Sequence, residues 1–417
     1  MTKEKIIIVL VCIIATMNSV RSQNQTGVLG QDKRRNVITT GVPSMLIGPD
    51  SRMGAMGEAG VAVDDDINAQ HWNPSKYVFM ENAFGIGLSY SPWLAGLGVN
   101  DIHILYLSGY AKAGKMGAVS FALRYFSMGE MELTDYTGTV IKKSSPHEFA
   151  IDAAYSRKLI DNLSMAVSFR FIYSYLSNYS AYGNQDAIKP GMSGAADVSL
   201  FYNKELRADR MESSKIAWGL CISNMGAKIS YSKDTEYRSF IPANFRTGIA
   251  YTIGMDKYNK ITFAFDLNKL LVPTPPLWLT DSSGAIIRKP NGRDAEINRG
   301  RDPNSTSPAG ALITSWFDAP GYSDSRGSKF AEEMDEFIQN IGIEYAYSDL
   351  FFIRTGFFNE AKAKGNRKYI TFGVGLKYSM FGIDASYILP VSSRNHPLEN
   401  TVRFSLTFDF SNKSTRR

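Results

Sequence analysis

The sequence predicts an all-β protein, a transmembrane antiparallel β-barrel of about 14 strands with an N-terminal plug. Three observations predict it. From Phe84 onward apolar residues recur with a period of two, which gives each strand one greasy face. The segments between these strands alternate between long and short, the asymmetry of outer-membrane barrels with tight periplasmic turns and long outer loops. The 417-residue chain has a mean hydropathy of −0.18. Its only sustained apolar run, Ile6 to Ala15, is about half the 20 or so residues that a membrane-crossing helix needs.

That run follows Lys3 and Lys5 and has the form of a signal-peptide core, so 1–22 reads as a signal peptide cleaved near Ser22-Gln23. Cys12 lacks the preceding small residue that a lipoprotein signal wants. Cys221 is then the only cysteine of the mature chain, and no internal disulfide is expected. Residues 23–38 are polar with few apolar anchors and read as a flexible leader.

Residues 39–82 read as the plug, or hatch. Gly54, Gly57 and Gly60 recur every three residues. Each costs a free helix about 1 kcal/mol, yet small residues let a backbone approach a wall closely. Glu58 and the triplet Asp64, Asp65, Asp66 make the segment acidic, and Trp72-Asn73-Pro74 closes it with a fixed turn.

The barrel is expected over 83–410, ahead of a basic tail, 411–417. In its last strand Val402, Phe404, Leu406, Phe408 and Phe410 oppose Arg403, Ser405, Thr407 and Asp409. Met165, Val167, Phe169, Phe171 and Tyr173 line one side of another strand, with Ile172 out of pattern. Tyrosines and other aromatics cluster toward strand ends, where girdles meet the lipid–water boundary. Glu130 to Lys142 reads as a hairpin extension above the membrane. An even strand count places both mature termini on the periplasmic side.

With the apolar face against lipid, the opposite face carries charge into the lumen. Arg124, Arg170, Arg246, Arg354 and Arg403 are expected to hold the acidic plug through charge-assisted hydrogen bonds; the alternative is a wet pore that merely solvates them. The interruption 268–340 is too long for an ordinary loop. It opens on a proline-stiffened arm with Leu270, Leu271, Val272, Pro273, Pro275 and Pro276, and it carries Trp278 and Trp316. It ends in a short acidic helix whose face shows Phe330, Met334, Phe337 and Ile338. Leu270 to Pro276, Trp278, Trp316 and Phe337 are the candidates for binding a partner outside the cell; the other reading packs this face over the barrel mouth.

No catalytic, cofactor or metal site emerges. His71, His103, His147 and His396 lack metal-ligand spacing. Asp64 to Asp66 lack the alternate-residue spacing of a calcium loop. The net charge of +6 is spread along the chain without a basic block interleaved with aromatics, which argues against nucleic acid.

The run Arg52 to Phe79, with Gly57-Glu58-Ala59-Gly60-Val61-Ala62, then acids, then Trp72-Asn73-Pro74, resembles the N-terminal hatch of FadL-type outer-membrane barrels, and within them the PorV branch. Phe263 to Pro276 is a second family-like stretch, and the resemblance runs loosely from about Thr39 to the end. It implies a non-enzymatic component of the type IX secretion system in the outer membrane of a Gram-negative bacterium. Such a component receives cargo by its C-terminal signal domain from the translocon barrel. It then delivers the cargo to a surface attachment complex with a sortase-like peptidase. Besides these partners, its wall touches outer-membrane lipid. The alternatives are a FadL-like transporter of a hydrophobic small molecule and a lipopolysaccharide-modifying barrel enzyme.

Overall fold

Fourteen antiparallel strands close on themselves in a computed structural model that describes residues 36–410 except 64–65, 94–98, 100, 135–136, 177–188, 207–212, 232–237, 282–285, 289–295, 323–328 and 392–400. The expected signal peptide, most of the leader and the basic tail lie outside the described residues. The barrel strands are β1 (Phe84–Pro92), β2 (Ile102–Ala113), β3 (Gly117–Met128), β4 (His147–Ile160), β5 (Leu163–Tyr175), β6 (Gly191–Leu206) and β7 (Ser213–Gly226). They continue as β8 (Asn244–Gly254), β9 (Asn259–Leu270), β10 (Ile338–Tyr347), β11 (Phe351–Asn359), β12 (Lys368–Tyr378), β13 (Phe381–Pro390) and β14 (Val402–Phe410). Each pairs with its chain neighbours, and β14 closes on β1 with Phe84 opposite Phe410 and Tyr90 opposite Phe404. Closure leaves no unpaired edge, which a backbone in lipid requires.

The alternation of faces follows the sequence. In β14, Arg403 and Ser405 are buried, while Phe404 and Leu406 point outward. In β5, Phe169 and Phe171 point outward, and Arg170 and Ile172 point inward. Ile172, out of pattern in the sequence, packs inside the barrel with Val42 and Met45 of the plug. Residues 113–117, 160–163, 254–259, 347–351 and 378–381 make short turns at one rim. The connections at the other rim are longer, up to the span between Leu270 and Ile338. Aromatic rings mark both rims. Tyr90, His103, Tyr125, His147 and Tyr173 run around the long-loop end, and Phe84 stacks on Phe410 at the short-turn end. Met131–Thr134 and Val140–Ser144 form a separate two-stranded ribbon beyond the long-loop end of β3 and β4. No helix among the described residues is long and apolar enough to cross a membrane.

The N-terminal segment threads the lumen from rim to rim. Asn36 donates its backbone N–H to Ala363 O at 3.0 Å and Gly41 donates to Phe240 O at 2.8 Å, both in long-loop connections. The chain then descends through a 3₁₀ turn (Pro43–Leu46), α1 (Ser51–Ala55), α2 (Ala69–Trp72) and a second 3₁₀ turn (Pro74–Phe79). At the short-turn rim the Ser164 hydroxyl donates to Ser75 O at 2.6 Å. Strand parity does bring the start of β1 and the end of β14 to one rim. The plug adds a crossing of its own, so the described chain begins at the rim opposite its end. The expected start of the mature chain, near residue 23, lies outside the described residues.

The inward face is built from small residues, which leaves the room that the plug fills. Ser89, Ser108, Ser120, Ser164, Ala118, Ala166, Ala217 and Ala264 are all buried on the wall. Met53, Met56, Val61 and Trp72 of the plug pack against Phe201, Ala217, Cys221, Ala250 and Ala264 of the wall. Full burial of each large apolar side chain contributes about 1.5–3 kcal/mol. One very close approach is between the end of α1 and β11. Gly57 sits at φ +65, where a Cβ would lie 2.6 Å from the backbone nitrogen of Phe357, and a Cβ on Gly356 would strike the Gly57 backbone.

Candidate functional site

The interface between plug and wall concentrates the buried polar groups of the barrel strands. Asp50 organises the plug itself. One carboxylate oxygen caps α1 by accepting from Met53 N at 2.9 Å, and the other accepts from the Trp72 indole at 2.6 Å. Asn73 accepts from Ser75 N at 3.2 Å, the turn that Asn-Pro predicts, and donates to Val61 O at 3.0 Å and to Leu200 O of β6 at 2.9 Å. Asp66 pairs with Lys76 at 3.4 Å inside the plug, and Lys76 also donates to Gly60 O and Val63 O. Asp64 and Asp65 lie outside the described residues.

Wall side chains then grip the plug, mostly by its backbone. Asp266 of β9 accepts from the Gly60 and Val61 amides at 2.8 and 2.9 Å. Thr371 of β12 accepts from Gly57 N and donates to Ala55 O, and Asn340 of β10 donates to Gly57 O at 2.6 Å. Arg124 of β3 donates to Ser44 O at 2.6 Å, to Ile47 O at 2.9 Å and to His71 Nδ1 at 2.9 Å. Two ion pairs complete the attachment. Arg403 of β14 meets Glu58 at 3.0 Å, and Arg52 of the plug forks onto Glu344 of β10 with both contacts at 3.0 Å.

The five lumen arginines therefore divide. Arg403 and Arg124 bond the plug directly, and Arg246 lays its guanidinium 4.5 Å from the Trp72 ring while donating to Asn268. Arg170 does not touch the plug acids. It is held by Asp152, Asp197 and Asn224, all on the wall. Arg354 pairs with Glu344 and Asp384 of the wall and reaches the plug only through the carboxylate that it shares with Arg52. Arg170 and Arg354 do not reach the plug acids because wall acids on neighbouring strands engage them.

A cap covers the long-loop mouth. Leu271, Val272, Pro273 and Pro276 of the proline arm are buried, and Val272 packs with Phe240 and with Ala311 of α3 (Pro308–Thr314). Lys269 and Lys364 hold the acids of α4 (Lys329–Asp335) and Glu336: Lys269 pairs with Glu333 at 3.1 Å and with Glu336, and Lys364 pairs with Glu332 at 2.8 Å and Glu336 at 2.9 Å. Thr274 of the arm donates to Glu336 at 2.6 Å, and Asn36 donates to Pro275 O and to Glu332. Trp316 packs edge-on against Phe245 at 5.1 Å and beside Phe337 at 6.2 Å. The arm thus packs over the barrel mouth, the second of the two sequence readings. Leu270, Pro275, Trp316 and Phe337 are half-buried, and of the nine candidates only Trp278 is exposed. The helix face is also inverted. Glu332, Glu333 and Glu336 point in toward the two lysines, while Phe330 (72% exposed) and Met334 point out.

The family model described as type IX secretion system protein PorV matches residues 30–277. The chain belongs to the PorV family. Among solved structures, the TodX deltaS2S3 mutant monoaromatic hydrocarbon channel shares 12% identity over 88% of this chain and 100% of that one, with a TM-score of 0.50. A Pseudomonas aeruginosa FadL homologue is 11% identical over 90% of this chain and 100% of its own, at a TM-score of 0.40. The CymD monoaromatic hydrocarbon channel is 13% identical over 88% and 99%, at 0.45. The first of these supports a FadL-like barrel fold for this PorV-family chain and nothing finer. No curated protein matches. Among the described residues no group of three His, Cys, Asp or Glu side chains could hold a metal ion.

Sequence reasoning missed Asp50, Lys76, Thr371 and Asn340. Asp50 had a readable signal, an Asp directly before a short Ser-Arg-Met helix start. Thr371 and Asn340 had none, because they meet the plug across 314 and 283 residues of chain.

Proposed function

We propose that this outer-membrane barrel is a carrier of the type IX secretion system. It takes cargo by its C-terminal signal domain from the translocon barrel and hands it to the surface attachment complex with its sortase-like peptidase. Membership of the PorV family is the observation that carries this reading. The plug agrees with it: a lumen filled by Met53, Trp72 and Tyr77 and bound at its backbone suits a protein that works through its surfaces, and no step here requires catalysis. The long-loop side faces outward in this reading. Its contact residues are then the apolar side chains that the cap displays, Ile313 (72% exposed), Phe317 (85%), Phe330 and Met334, in place of the buried proline arm.

Affinity purification of the tagged chain in mild detergent tests the proposal. Cargo proteins sharing a C-terminal domain are expected in the bound material, and Phe317→Asp with Phe330→Asp is expected to reduce their recovery at unchanged barrel yield. Bound fatty acids or other apolar small molecules without cargo would instead make the chain a transporter. Trimmed lipopolysaccharide would make it an enzyme.

A further inference from the structure

Helix α4 turns its charge inward and its apolar side chains outward. Glu332 and Glu333 of the helix, and Glu336 just after it, are buried, while Phe330 and Met334 are 72% and 46% exposed. Among the described residues no side chain of α4 joins an apolar cluster. The acids therefore hold the helix in place.

Those acids gather five separate segments. Lys269 at the end of β9 pairs with Glu333 at 3.1 Å and with Glu336. Lys364, in the connection before β12, pairs with Glu332 at 2.8 Å and Glu336 at 2.9 Å. Thr274 of the arm donates to Glu336 at 2.6 Å, and Ala319 N, between α3 and α4, donates to Glu333 at 2.8 Å. The fifth segment is the start of the plug. The Asn36 side chain donates to Glu332 at 2.8 Å and to Pro275 O of the arm at 3.0 Å. Ile38 packs against the cluster of Phe240, Val272 of the arm and Ala311 of α3. Arm and plug entry are thus tied to one short helix. The body of the plug is fixed separately, by Gly41 on Phe240, by Arg124 on Ser44 and Ile47, and by Asn73 on Leu200.

Two costs coexist in this arrangement. The three glutamates share two ammonium groups, Asp318 is a further buried acid of the cap, and Glu332 Oε2 has no hydrogen-bond partner among the described residues. Buried charge short of counter-charge is costly. On the outer side, Phe330 and Met334 keep apolar surface in water, the mark of a face that a partner covers. A partner that seizes this face and lifts α4 covers the apolar side chains and returns the acids to water in one movement.

We infer that α4 is a latch: when it lifts, the arm (271–276) and the plug entry (36–41) come free with it as one unit, while the body of the plug stays in the barrel. In the carrier reading seated cargo lifts it; the latch itself does not rest on that reading. Hydrogen exchange of the full chain in lipid nanodiscs, followed segment by segment, tests it. In the unaltered chain α4, 271–276 and 36–41 are expected to share one opening free energy, below that of residues 69–79. Lys269 bonds the acids and no residue of the plug. Lys269→Met is expected to strip protection from all three segments and spare 69–79, and adding Glu333→Gln, which restores the charge balance, is expected to return it to all three. Separate opening energies in the unaltered chain would overturn the latch. So would a Lys269→Met chain that leaves α4 protected, one that loosens α4 but not 36–41, or one that loosens 69–79 equally. The measurement on the unaltered chain decides even where a variant does not fold.

Discussion

Arg403 and Glu58 form the most direct ionic link between plug and wall, 345 residues apart in the chain and both almost out of reach of water. A buried pair of this kind adds little over an apolar pair of the same shape, but breaking one side leaves a charge without a partner. Arg403→Met is therefore expected to destabilise the folded chain by about 3–5 kcal/mol, and adding Glu58→Gln to it is expected to recover most of the loss. Denaturant unfolding in detergent measures both. A single variant within about 0.5 kcal/mol of the parent, or a double variant no better than the single, would show that this pair does not anchor the plug. The wider lesson at this scale concerns the other wall contacts. Asp266, Thr371 and Asn340 bond amides and carbonyls of the plug, so glycine positions such as Gly57 and Gly60 matter for the bare backbone they present.

At the scale of elements, the strands were legible and the cap was not. Lipid on one side enforces a period of two that runs through most of the strands, and the turn asymmetry follows from the chain having to return across the membrane each time. Helix α4 had an apolar face by spacing, but Lys269 and Lys364 lie beneath it and draw in Glu332, Glu333 and Glu336. Charge partners distant in the chain thereby reversed a local pattern. Among the described residues the cap also carries an acid that pairs with no cation. Asp318 accepts from Thr274 N at 3.4 Å, and burial, with Glu336 and Glu333 nearby, raises its carboxyl to about 6. A carboxyl raised on folding adds stability that is complete below its unfolded value of 3.8 and is lost as pH rises through about 6. Hydrogen-exchange protection of the arm and α4 should accordingly be greater at about pH 5 than at about pH 7.5. Asp318→Asn should keep the low-pH protection at the higher pH. Protection in the parent chain that is flat or rises across this window would contradict the argument.

For the whole molecule, the plug's crossing of the lumen is the feature that sequence periodicity did not contain, since a segment without a strand period gives no count of its passage. Once placed, it explains why the inward faces of the strands are rich in serine, alanine and glycine, and why the cap is tied to the first described residue, Asn36. It also leaves the rims and outer surface for contacts, as the proposed carrier role requires. The current through single purified barrels in a planar lipid bilayer tests this most directly. A closed, carrier-type barrel predicts silence apart from brief flickers, with a steady current appearing only when residues 39–82 are removed. A large, steady current from the intact chain would contradict it.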